Sequence, residues 1–263
     1  MSNIAFIPVR GGSKSIPMKN IKVLNGKPLV YWTAAAASGA GCIDKVIIAT
    51  DSEEIKKIVL GFELPKVEVY DRNPENASDT ASTESVMLEY IKKTGLKQKD
   101  NFFLIQATSP MLKSEHIDGM YNEFLISGAD SMFTGVLEKQ FHWCTTYVDQ
   151  LSDGNTDTTG RNKNSRPSST AELQNNGFLV PVNYNYRNRP RRQDFEGLIA
   201  ENGACYINTV GNILHDKCRL SGKITAYELP SYTSYEIDEP NDWIIVETLM
   251  KYYAVSYTHL TLP

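Results

Sequence analysis

A chain of 263 residues is long enough for one large α/β domain, or for one such domain with an excursion. Its 27 basic and 31 acidic residues leave a formal charge of −4, so no global field points to nucleic acid and any anion site must come from local clustering. Four widely spaced cysteines without a C-x-x-C pair suit a reduced, cytoplasmic protein, the four histidines form no zinc pattern, and no apolar run approaches the roughly 18 residues of a membrane helix.

The elements follow in order. Ile4–Val9 is a short apolar strand that stops at Arg10-Gly11-Gly12-Ser13-Lys14. Pro28 opens an alanine-rich helix over Leu29–Ala40, and Lys45–Thr50 is a continuous β-branched strand. A helix starts at Asp51–Glu54, with Ile55, Ile58 and Val59 at helical spacing. Val67–Tyr70 is a strand, Ser82–Lys93 a helix, Phe102–Gln106 a strand, Ser114–Ser127 a helix and Ser131–Val136 a strand. This alternation predicts a mostly parallel sheet covered on both faces, with ligands at the carboxyl ends of its strands. Residues 150–178 then turn polar, and 181–194 hold four arginines. Regularity returns at Ala204–Asn208, Ile224–Leu229 and the amphipathic Trp243–Tyr253, before a tail over 254–263 whose last eight residues lack periodicity.

Four stretches can carry chemistry. After the first strand, two glycines and the cations Arg10, Lys14 and Lys19 suit a polyanion such as a nucleotide triphosphate, the alternative being a basic surface loop. The polar loop from Asp71-Arg72 to Ala81-Ser82-Thr83 can offer backbone amides to a base or phosphate, or simply cap a helix through Thr80 or Ser82. Gln106-Ala107-Thr108-Ser109-Pro110 ends a strand with a donor-acceptor side chain suited to a sugar or base edge. Glu236 and Asp238 share a face of an extended segment and would repel without a cation, whereas Asp238 or Asn241 could equally cap the last helix. Among Arg187, Arg189, Arg191 and Arg192, one or two could pair with an acid group; the alternative is a solvated loop.

Six segments together resemble the acylneuraminate cytidylyltransferases: RGGSK-x-IP-x-KN (10–20), D-x-A-S (79–82), Q-x-TSP (106–110), RPRRQD (189–194), ENGACYI (201–207) and EIDEPNDW (236–243). The resemblance covers roughly residues 3–253. It implies a Rossmann-like nucleotidyltransferase fold over 1–138 and 201–253, with an inserted dimerisation and substrate subdomain at 139–200 that carries a polar loop at about 152–178. It implies that CTP and a nonulosonic acid give the CMP-sugar and diphosphate, by attack of the anomeric hydroxyl on the α-phosphate with Mg²⁺, in a homodimer.

By the same resemblance, Arg10, Ser13, Lys14, Lys19 and Asn20 hold the triphosphate. Arg72, Ala81 and Thr83 sit near cytosine and ribose. Gln106, Arg191 and Asn202 meet the sugar, Asp238 binds the metal with Glu236 assisting, and Lys19 and Arg191 are the essential cations. The sequence departs from the family where Glu236 replaces an aspartate common there, and where the polar stretch is longer. Rival readings are a synthetase for 3-deoxy-manno-octulosonate, legionaminate or KDN, and a non-catalytic nucleotide-binding homologue.

Overall fold

In the computed structural model, which describes residues 1–12, 15–73, 76, 81–146 and 178–259, the first apolar run is β1 (Asn3–Pro8). Successive side chains of a strand point to opposite faces. Ala5 and Ile7 accordingly enter one buried cluster and Ile4 and Phe6 another. The same division separates Val46 and Ile48 from Ile47 and Ala49 on β4 (Lys45–Thr50), and Phe103 and Ile105 from Phe102 and Leu104 on β6 (Asn101–Ile105). The continuous apolar runs therefore mark strands buried on both sides.

A two-residue pair, β2 (Val23–Leu24) and β3 (Lys27–Pro28), precedes α1 (Leu29–Gly39). It turns on Asn25 and Gly26, both at positive φ, and Asn-Gly is the usual sequence for such a turn. Then come α2 (Glu53–Leu60), β5 (Val67–Asp71), α3 (Thr83–Thr94) and α4 (Ser114–Ser127). β7 (Ser131–Glu138), β8 (Trp143–Thr146), β9 (Phe178–Pro181) and β10 (Leu198–Thr209) follow. The chain closes with α5 (Val210–Asp216), β11 (Ile224–Glu228) and α6 (Pro240–His259). Ser52 and Ser82 cap α2 and α3 by accepting from Ile55 and Ser85 amides at 3.3 and 3.1 Å.

Seven strands form one sheet in the order β11-β7-β10-β6-β1-β4-β5. β1 pairs parallel with β4 and β6, β4 with β5, and β11 with β7, whereas β10 runs antiparallel to β6. This is a mostly parallel α/β sheet, with the reversed β10 as the exception. β10 is also longer than the Ala204–Asn208 run, and α6 continues to His259, past Tyr253, where the amphipathic pattern ends.

Contacts divide the chain into two units, 1–136 with 199–263, and 137–198. In the second, β8 and β9 pair antiparallel, and Phe141 packs against Tyr184 and Phe195 with ring centroids 4.3 and 5.0 Å apart. The polar stretch from 152 lies, up to residue 177, outside the described residues. No helix among the described residues is long and apolar enough to cross a membrane, and all four cysteines are free thiols.

Candidate active site

The carboxyl ends of β1, β4, β5 and β6 converge, as a parallel sheet requires, and bring together loops far apart in sequence. The Gly11 amide donates to Asp51 Oδ1 at 3.2 Å. A Cβ on Gly11 would stand 3.0 Å from Ser52 Cβ, so the turn needs glycine there, while one on Gly12 would meet nothing within 4 Å. The Arg72 amide donates to Thr50 O at 3.0 Å.

Between these loops lies a cavity of about 310 Å³, lined by Arg10, Lys19, Asn20, Arg72, Ala81, Thr83 and Gln106 among others. Every described residue assigned from the sequence to triphosphate, base or ribose is on this wall, and so is Gln106. Ser13 and Lys14, from the same assignment, lie outside the described residues. A larger, apolar cavity of about 510 Å³ beside Trp32, Met111, Tyr232 and Tyr253 holds none of these residues.

The wall is built by specific contacts. Asn20 is 7% exposed, and its Nδ2 donates to Arg10 O at 3.0 Å, so it fixes the loop carrying Arg10. Lys19 opens a 3₁₀ turn (Lys19–Ile21), and its Nζ donates to Ile237 O at 2.8 Å and to Asp238 Oδ1 at 3.0 Å. A third buried cluster underlies this junction: Ile16, Leu24 and Leu29 pack with Ile237, Trp243 and Val246. Burial of Ile237, which is fully inaccessible, contributes about 1.5–3 kcal/mol and turns its neighbours Glu236 and Asp238 the other way.

Those two carboxylates differ. The Asp238 side chain is 66% exposed and paired with Lys19. Glu236 is half-buried, and its Oε2 accepts only a long 3.5 Å hydrogen bond from Thr108 Oγ1. Desolvation, then the charge of Asp238, pushes its pKa up to about 7, against the Thr108 hydrogen bond and Lys19. Thr108 also lines the cavity, so the carboxylates adjoin it. Gly203, at φ +67°, makes room for Glu236: a Cβ there would run into the Glu236 carboxylate. Asp242 is neither ligand nor bystander; its Oδ2 accepts from the Asp238 and Glu239 amides at 3.0 and 2.7 Å and so secures the entry to α6.

A poorly hydrogen-bonded carboxylate, raised by a like charge and adjoining an anion-lined wall, fits a divalent cation that shares phosphate oxygens and water. Among the described residues no group of three His, Cys, Asp or Glu side chains could hold an ion by itself. Mg²⁺ at Glu236 and Asp238 would complete its shell from the nucleotide.

Two assignments sit elsewhere. Asn202 is 4% exposed and its amide is committed inside the protein. Its Oδ1 accepts from Thr134 Oγ1 at 2.8 Å and its Nδ2 donates to Thr233 Oγ1 at 3.2 Å. It ties β10 to the segment leading to Glu236, and no donor or acceptor is left over to meet a sugar. Arg191 belongs to the second unit, where it caps a 3₁₀ turn (Arg192–Asp194) and lines a cavity of about 670 Å³ with Lys139, Gln140, Phe141, Arg189 and Arg192. Sequence reasoning missed Gly203 and Thr108 as partners of Glu236; the first carried a signal, a glycine inside an otherwise apolar strand run.

Residues 4–161 match the family model described as "Cytidylyltransferase". N-acylneuraminate cytidylyltransferase A of Danio rerio is 32% identical over 92% of this chain and 49% of its own length. The N-acylneuraminate cytidylyltransferase of Oncorhynchus mykiss is 33% identical over 92% and 49%. The chain thus spans about half the length of these relatives. CMP-N,N'-diacetyllegionaminic acid synthase of Legionella pneumophila is 28% identical, over 95% of this chain and 97% of its own. Among solved structures, CMP:2-keto-3-deoxy-manno-octonic acid synthetase complexed with CTP superposes with TM-score 0.56 over 96% of this chain and 100% of that one, at 15% identity, which shows the shared fold.

Proposed function

This chain belongs to the cytidylyltransferase family, and from that premise we propose that it transfers CMP from CTP to a nonulosonic acid of the N-acylneuraminate class. The observation that carries the reading is the single cavity wall formed by Arg10, Lys19, Asn20, Arg72, Ala81, Thr83 and Gln106, with Glu236 and Asp238 adjoining it through Thr108.

In this reading the anomeric hydroxyl oxygen of the sugar bonds to the α-phosphorus of CTP, the bond from that phosphorus to the bridging oxygen breaks, and diphosphate leaves as the hydroxyl proton is lost. Arg10 and Lys19, with Ser13 and Lys14 of the same loop, hold the triphosphate and spread its charge, while Arg72, Ala81 and Thr83 face base and ribose. Asn20 keeps Arg10 in place. Asp238 and Glu236 hold Mg²⁺, which neutralises charge on the transferring and leaving phosphates. Lys19 bridges the nucleotide wall to Asp238, so positioning and electrostatics carry the rate. Gln106 meets the sugar and Arg191 pairs with its carboxylate through the planar guanidinium fork. Asn202 serves by holding β10 to Thr233.

We assign dimerisation to the second unit. Trp143, Leu179, Val182 and Tyr186 of that unit are exposed apolar side chains. A CTP substrate and widely spaced free thiols suit the cytoplasm. The test is diphosphate release from CTP with N-acetylneuraminate, legionaminate, KDN and 3-deoxy-manno-octulosonate in parallel. Release with N-acetylneuraminate above the others supports the proposal. Preference for the last acid, or no release with any, overturns it.

A further inference from the structure

Arg72 stands on the cavity wall at an energetic disadvantage. Its Nε is buried without an acceptor, and desolvation lowers its pKa despite the charges of Asp51 and Glu89. What holds it there is Asn76, whose carbonyl accepts from Arg72 Nη2. The side chain of Asn76 points the other way, and its Nδ2 donates to Glu89 Oε2 at 2.6 Å. Glu89, on α3, is 10% exposed and also accepts from Tyr70 Oη at 2.7 Å, from the Asn73 amide at 3.0 Å and from Lys93 Nζ at 3.2 Å. Two of its four donors thus come from the loop that carries Arg72, and two from outside it. Only an ionised carboxylate can accept from all four at once, since a glutamine amide would turn an NH₂ toward one of them.

We propose that Glu89 is a positioning residue for the nucleotide: through Asn76 it sets where Arg72 meets the base and ribose of CTP. The inference rests on the cytidylyltransferase reading. Glu89 touches no substrate; it acts by fixing the loop between β5 and α3, so its removal loosens nucleotide binding more than it slows the chemical step.

The test is calorimetric titration of the whole chain with CTP, beside steady-state kinetics, for wild type, Glu89→Gln, Asn76→Ala, Tyr70→Phe and Lys93→Ala. Losing a hydrogen bond to a charged group predicts about tenfold weaker CTP binding and a matching rise in KM for Glu89→Gln and Asn76→Ala, with kcat within about threefold. Tyr70→Phe and Lys93→Ala remove donors outside the loop and should keep CTP affinity within about twofold of wild type. Thermal melts establish that each variant is folded, and Asn76→Ala carries the test if Glu89→Gln is not. The proposal is overturned if folded Glu89→Gln and Asn76→Ala bind CTP as wild type does, or if Tyr70→Phe weakens binding as much as Asn76→Ala. A wild-type chain that binds no CTP removes the functional reading itself, and the clamp with it.

Discussion

Glu89 and Glu236 are both drawn partly out of water, and both start from the same intrinsic acidity. Glu89 meets four donors, and those hydrogen bonds overcome desolvation and hold its pKa at about 2. Glu236 meets one long hydrogen bond and a neighbouring carboxylate, and its pKa rises to about 7. Burial alone does not decide what a carboxylate is for. A saturated one is scaffold, and its charge is used up locally. An unsaturated one paired with a like charge still has coordination to offer, and the protein holds it there at a cost.

The largest expected effect comes from removing charge at the unsaturated pair. Asp238→Asn should lower turnover by more than about 100-fold with the fold intact, because diphosphate then leaves without a key neutralising ligand. Glu236→Gln should cost less, with part of the loss recovered at higher Mg²⁺. A Mg²⁺ titration of activity in both variants checks this, and wild-type turnover in Asp238→Asn would erase the distinction between the two glutamates. Gly203→Ala comes next. Positive φ and the close approach to Glu236 should together cost about 1–2 kcal/mol of stability, and turnover should fall by more than that loss explains, as read from a melt beside kinetics.

The two sites should also carry opposite pH signatures. Glu236 is raised in the folded state, so the folded protein binds the extra proton between about 4.5 and 7. Its contribution therefore weakens the fold as pH rises through that window, by about 1–2 kcal/mol once partial exposure is allowed for. Glu236→Gln should flatten the stability curve there. Glu89 is lowered, so its stabilisation is present above about 4.5 and lost as pH falls toward 2. Glu89→Gln should lower stability at neutral pH and lose less on acidification, as denaturant melts across pH can show. Identical pH profiles in the two variants would collapse the comparison. The smallest effect belongs to Asp242→Ala, which removes the acceptor at the entry to α6 and should cost about 0.5–1 kcal/mol with turnover nearly unchanged.

Much of this was legible in sequence, for physical reasons. Strands buried on both faces need continuous apolar runs, and those runs located β1, β4 and β6. Loops at their carboxyl ends meet in any parallel sheet, so Arg10, Arg72 and Gln106 could be grouped without coordinates. Other features resist a linear reading. The run Ala204–Asn208 looks the same whether it pairs parallel or antiparallel with β6, because direction is fixed by a partner about a hundred residues away. Glu89 precedes Lys93 by four positions and reads as half of an ordinary exposed helix pair, since nothing local reveals the loop folded over it. Asn202 reads as a polar residue free for a ligand; its commitment to Thr134 and Thr233 exists only in three dimensions.

The contact between Lys19 and Asp238 joins residues 219 positions apart. At a synthesis rate of about 5–20 residues per second, Lys19 emerges roughly ten to forty seconds before its partner. Closing so long a loop costs entropy before any contact repays it. The shared cluster of Ile16 and Leu29 with Ile237 and Trp243 supplies the repayment only when both ends are present. A nascent or truncated chain lacking the last fifty residues could fold much of the sheet and still have neither acidic partner for its cationic loop. Assembly thus works as a completion check: the carboxylates are among the last parts delivered, and an unfinished chain would lack the charge balance its chemistry needs.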